Sequence, residues 1–156
     1  MNVYVETSII SYLTARPTND IRAAAHQNAT LEWWSSRRSE FTLYISEFVT
    51  AEAAEGNAEA ANRRLTAIAD LQLLQATPEV MSLAEKLLHA GALPRKAYGD
   101  AFHIAISAVH GMDYLLTWNC KHIANAVMRP KIEAVCMIED YAPPIICTPE
   151  ELMSEE

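Results

Sequence analysis

Residues 97–119 read AYGDAFHIAISAVHGMDYLLTWN. The first fourteen form an apolar helical pattern that Gly111 closes, with Asp100 near its start and His103 one turn further along the same face. Asp113 to Thr117 then makes a short strand, apolar in its middle, that stops at the polar Thr117-Trp118-Asn119 and is expected to open a helix through Ala126. A helix built to be buried, a glycine turn and a short apolar strand are the ingredients of an α/β sheet. Asp100 is the residue such a helix has least reason to carry.

The same alternation runs outward in both directions. Val3 to Val5 is a strand that ends at Glu6, and Thr7-Ser8 offers hydroxyls to cap a helix through Leu13. After a break at Arg16 to Asp20, Ile21 to Arg38 reads as a helix with Leu31 and Trp34 on its inner face, which leaves Trp33 outward. Phe41 to Ile45 is the second strand. Ser46 then caps a helix from Glu47 to Glu55, Gly56-Asn57 separates it from Ala58 to Ala69, and Leu71 to Leu74 is a third strand. Thr77-Pro78 starts a helix ending at Gly91. Beyond the opening segment, Lys131 to Asp140 reads as a helix, Pro143 to Cys147 as a last strand, and Thr148 to Leu152 as a turn. Five short strands alternating with helices predict a mostly parallel sheet with helices on both faces, a three-layer α/β/α Rossmann-like fold.

Composition narrows the function. The 156 residues suit one domain, and 51% hydrophobic with 21% charged residues is an ordinary globular balance. No apolar run approaches the roughly 18 residues needed to span a bilayer, and the start MNVYVETSII reads as a strand rather than a secretory leader, so a cytoplasmic location is expected. The cysteines at 120, 136 and 147 lack metal or disulfide spacing and are expected to be small buried fillers. A net charge of −8 excludes a broad basic surface as the basis of nucleic-acid binding. There is no G-x-x-x-x-G-K-[ST] loop and no Asp-x-Asp after the first strand.

Parallel sheets carry their chemistry beyond the carboxyl ends of the strands. Glu6, Glu52, Asp100 and Asn119 stand at such ends or at the helix starts beside them, in four separate segments. Acids that converge without arginines are costly to bury unless a divalent cation neutralises them, and Mg²⁺ or Mn²⁺ is the hard ion that oxygen donors select. Acids at strand ends also serve as helix caps or solvated turn residues, and that reading stays open on spacing alone.

The residues that carry a resemblance are Val5-Glu6-Thr7-Ser8, Ser46 with Glu52 six positions later, Gly99-Asp100-Ala101-Phe102-His103-Ile104-Ala105, and Leu116-Thr117-Trp118-Asn119. In that order they resemble the PIN-domain family, in particular its VapC-like toxin ribonucleases. The resemblance implies a PIN fold and a Mg²⁺- or Mn²⁺-dependent endoribonuclease. It implies Glu6, Asp100 and Glu52 as metal ligands, with Asn119 as an outer ligand or water-positioning group. An RNA substrate, a small antitoxin partner and a homodimer come with it. Two positions depart from the family's usual pattern, Glu6 and Asn119 each standing where Asp is common, so the metal would meet less negative charge. A PIN-like module that binds RNA or protein without cutting, and a phosphatase or 5′ nuclease acting on DNA, use the same acids. His103 reads as a hydrogen-bonded core residue, Glu47 as a solvated competitor of Glu52, and Lys121-His122 as either substrate contacts or a solvated face. An outward Trp33 would suit an interface with an antitoxin helix or a second subunit.

Overall fold

The computed structural model describes residues 1–154; the last two positions of the expected domain lie outside the described residues. Five strands, β1 (Asn2–Val5), β2 (Thr42–Ser46), β3 (Gln72–Leu74), β4 (Tyr114–Leu116) and β5 (Ile145–Cys147), form one sheet in the order β3-β2-β1-β4-β5. Every pairing is parallel, with Tyr4 of β1 opposite Tyr44 on one side and Leu115 on the other. The chain steps from β1 to β2 to β3 in one direction and then returns to add β4 on the far side of β1. That reversal opens a crevice at the carboxyl ends of β1 and β4, where such sheets bind ligands.

Among the described residues seven α-helices connect the strands: α1 (Thr7–Thr14), α2 (Ile21–Ser36), α3 (Glu47–Ala53), α4 (Ala58–Ile68), α5 (Pro78–His89), α6 (Tyr98–Val109) and α7 (Arg129–Ile138). Right-handed crossovers put α1–α4 on one face and α5–α7 on the other. The packing follows, since α1 meets α2, α3 and α4, while α5 meets α6 and α7. Local chemistry sets the helix starts: Asp20, Ser46, Asn57 and Thr77 each accept a backbone N–H three residues on, and Pro78 occupies the first turn after Thr77. In α6 every residue from Ala101 to Ala108 is buried, as a helix apolar on all sides must be. Gly99 in its first turn sits against the Phe48 ring, which would have to shift by a few tenths of an ångström to admit a Cβ 3.0 Å away.

Four expectations are corrected. The segment after Asn119 is a run of turns rather than a helix to Ala126. Asn119 Oδ1 accepts the His122 N–H, and the Asn125 amide donates to the carbonyls of Cys120 and Lys121, so side chains take up backbone groups that a helix would use. The cap of α1 is Glu6 itself, whose carboxylate accepts the Ser8 N–H. On α2 the inward residues are Gln27, Thr30 and Trp33, so Trp33 is fully buried, Trp34 is half-buried and Leu31 is exposed. Trp33 stacks on Phe41, while the Arg38 guanidinium covers Trp34. Cys120 is exposed; only Cys136 and Cys147 are buried, and burial pushes their thiols up to about 11 and about 12.

Candidate active site

Glu6 follows β1 directly, still in extended conformation, and its N–H bonds the Leu116 carbonyl of β4. The residue is 6% exposed. Oε2 accepts the Ser8 N–H at 2.9 Å, and Oε1 accepts the hydroxyls of Ser8 and Thr117. The acid is thus held by its own helix start and by the end of the neighbouring strand.

Glu52 reaches the same rim from α3. Its Oε1 accepts the Thr7 hydroxyl at 2.6 Å and bonds His103 Nε2 at 2.7 Å, whereas Oε2 has no partner among the described residues. Glu6, Glu52 and His103 each bring one donor atom within 4.8 Å of the others. His103 is the member that the sequence alone places in the core and not in the site. It is buried as expected, but its bond runs to Glu52, and its one-turn offset from Asp100 is the signal that could have found it.

Asp100 and Asn119 continue the rim. Asn119 Nδ2 donates to Asp100 Oδ1 at 2.9 Å, and the Asn119 N–H bonds Thr117 Oγ1, the hydroxyl that also serves Glu6. His122 Nδ1 bonds Asp100 Oδ2 at 2.8 Å, a contact that the turns after Asn119 make possible. An unbroken set of hydrogen bonds therefore links Glu6, Thr117, Asn119, Asp100 and His122. Asp100 is not one of the three groups that share the 4.8 Å cluster. Glu47 and Lys121 are exposed, while Arg63 and Arg64 are spent on backbone carbonyls of Thr14, Ala53 and Glu55.

Among the described residues no lysine or arginine pairs with Glu6, Glu52 or Asp100. Hydrogen bonds orient these acids without cancelling their charge. Oxygen-rich donors with uncompensated charge fit a hard divalent cation.

No family model and no curated protein matches the chain. Solved structures do. VapBC2 from Rickettsia felis, bound to a DNA fragment from its promoter, aligns with a TM-score of 0.58 at 15% identity over 95% of this chain and 98% of that one. VapC20 from Mycobacterium tuberculosis, a sarcin–ricin loop cleaving toxin, aligns at 0.60 and 16% over 78% and 93%. VapBC-1 from nontypeable Haemophilus influenzae aligns at 0.57 and 15% over 96% and 99%. The chain has the PIN fold.

Within this PIN fold the electrostatics of Glu52 are set locally. Desolvation pushes its pKa up, but the interactions of His103, its hydrogen bond first, together with the Thr7 hydroxyl outweigh it, and the net is a value below the ordinary 4.5. A carboxyl whose pKa is lower folded than unfolded adds stability that is complete above the unfolded value and disappears as pH falls through the folded one. Glu52→Gln should therefore lose stability relative to wild type at neutral pH, with the difference shrinking below about pH 4.5. Urea unfolding of both proteins at a series of pH values measures this; a difference that grows toward low pH would contradict it. No helix among the described residues is long and apolar enough to cross a membrane.

Proposed function

We propose that the chain is a single PIN-type domain with divalent-metal-dependent endoribonuclease activity, the toxin of a toxin–antitoxin pair. One observation carries the reading: Glu6, Glu52 and Asp100, from three distant segments, meet the carboxyl rim of the sheet with no lysine or arginine among the described residues paired to them. The fold likeness supports it, since one neighbour is a toxin that cleaves the sarcin–ricin loop and two others are VapBC complexes. That analogy suggests an RNA substrate and a small antitoxin as partners, and the resemblance to VapC-like toxins adds a homodimer and a cytoplasmic place to the proposal.

Glu6, Glu52 and Asp100 would hold Mg²⁺ or Mn²⁺. Such an ion, when bound, supplies a Lewis acid that makes water more acidic and offsets charge developing on the phosphate. The protein's own part is to hold these oxygens in place. Ser8 and Thr117 immobilise Glu6, and Asn119 and His122 immobilise Asp100. The depressed pKa of Glu52 makes it a weak base but a permanent anion, so it acts as a ligand through its unpaired Oε2. The reaction is hydrolysis of a phosphodiester by water in line with the departing 3′ oxygen, leaving a 5′ phosphate.

A second reading, a PIN-like module that binds RNA or protein without cutting, draws on Asn119, which is neutral and spends its amide on Asp100 and on the His122 N–H. Labelled RNA and DNA of one sequence, incubated with the protein plus Mn²⁺ or Mg²⁺ and with EDTA, separate the readings. RNA cut only with metal, bearing 5′-phosphate ends, is expected. Mn²⁺ binding without cleavage would favour the binding module, and cleavage of DNA alone would favour a DNA nuclease.

A further inference from the structure

Behind Glu52 lies a buried line of hydrogen bonds that the nuclease reading leaves unused. Ser46 Oγ and Tyr4 Oη are 2.8 Å apart, Tyr4 Oη and His103 Nδ1 are 2.7 Å apart, and His103 Nε2 is 2.7 Å from Glu52 Oε1. Tyr4, Ser46 and His103 are all buried to within 1% of full coverage. They come from β1, β2 and α6, and Tyr4 stands two residues before Glu6, which continues β1 in extended conformation.

The two ends of the line fix the direction of each bond. Glu52 as a carboxylate only accepts, so His103 Nε2 carries a proton and donates it. In the neutral ring Nδ1 then accepts, and Tyr4 O–H is the donor. The Tyr4 oxygen in turn takes the Ser46 hydroxyl proton, while Ser46 Oγ accepts the Val49 N–H as the cap of α3. Every proton in this order has an acceptor. The opposite order, with Nδ1 as donor, would turn the Tyr4 proton toward Ser46 and leave the Ser46 proton without an acceptor among the described residues.

We propose that Tyr4 and His103 are positioning residues of the cation site. Tyr4 locks the His103 ring in the Nε2–H tautomer, and His103 with Thr7 then claims Oε1 of Glu52 and leaves Oε2 unclaimed by the protein. Because Ser46 also caps α3, the helix that carries Glu52, one network fixes both the helix and its carboxylate. This inference rests on the divalent-metal reading above.

The test combines two measurements on the full chain. Long-range ¹H–¹⁵N NMR of the metal-free protein reads the His103 tautomer, and the EPR signal of free Mn²⁺ reads affinity. Wild type is expected to show the Nε2–H form. Tyr4→Phe, which keeps the ring and removes the hydroxyl, should mix the tautomers and weaken Mn²⁺ binding about tenfold, the scale on which partners behind a ligand act. His103→Gln, which keeps a donor near Nε2, should bind Mn²⁺ more tightly than His103→Ala. An Nδ1–H tautomer in wild type overturns the inference even if Tyr4→Phe does not fold. Unchanged affinity in a folded Tyr4→Phe protein overturns it too while leaving the nuclease reading intact. Wild type that binds no Mn²⁺ brings down the nuclease reading and this inference with it.

Discussion

Glu6→Gln is expected to lower RNA cleavage by at least about 100-fold while leaving the protein folded. The amide is nearly the shape of the carboxylate. Its carbonyl can accept the Ser8 N–H that caps α1, but the Ser8 and Thr117 hydroxyls, whose oxygens already accept the Trp118 and Asn119 N–H groups, lose the acceptor of their own protons when an NH₂ replaces Oε1. Stability should fall by about 1–3 kcal/mol, because buried hydroxyl protons lose their acceptor, while relief of repulsion from Glu52 offsets part of the loss. What disappears is the negative charge of the most buried acid on the rim. Glu6→Asp keeps that charge on a side chain one methylene shorter and should retain more activity than Glu6→Gln. Initial rates on a labelled RNA, with thermal melts in parallel, decide the matter; a folded Glu6→Gln protein that cuts within about threefold of wild type would remove Glu6 from the site.

How far such a site can be read before folding depends on where its information lies. The sheet is legible because its strands are short apolar runs set off by local signals, such as the helix starts at Ser46 and Thr77-Pro78 and the turn at Gly111. The gathering of Glu6, Glu52, Asp100 and Asn119 is legible one step later, since a parallel sheet sends its strand ends to one rim. The partners of those acids are not. Glu6 as its own helix cap competes with Thr7 and Ser8 on equal local terms, and the contact with Thr117 that settles its orientation spans 111 positions. His122 reaches Asp100 only because the segment after Asn119 turns instead of coiling, an outcome decided by two asparagine side chains. The burial of His103 can be read from its apolar neighbours, whereas its role follows from Tyr4 and Glu52, 99 and 51 positions away.

The inner face of α2 lies one residue from where its periodicity predicts, and that register supplies the largest expected effect on stability. Trp33 has no exposed surface, lies on the side of α2 that carries Gln27 and Thr30, and stacks on Phe41 with ring centroids 5.8 Å apart. Truncating a buried tryptophan to alanine costs about 3–5 kcal/mol, from lost burial and from the cavity left behind. Its indole Nε1 is buried without a hydrogen-bond partner among the described residues, however, a penalty of about 1–3 kcal/mol that the wild-type protein already bears and the variant sheds. Trp33→Ala is therefore expected near the lower end, about 3 kcal/mol, which for a chain of this size lowers Tm by roughly 6–12 °C. Trp33→Phe keeps most of the stacking area and removes the orphan N–H, so its cost should be under about 1 kcal/mol. Trp34, half-buried and covered mainly by the Arg38 guanidinium, should lose less than half as much as Trp33 on truncation to alanine. Denaturant and thermal unfolding of the three variants order them. If Trp34→Ala proves the more damaging, α2 does not turn Trp33 inward, and that side chain is again available as a surface for a partner.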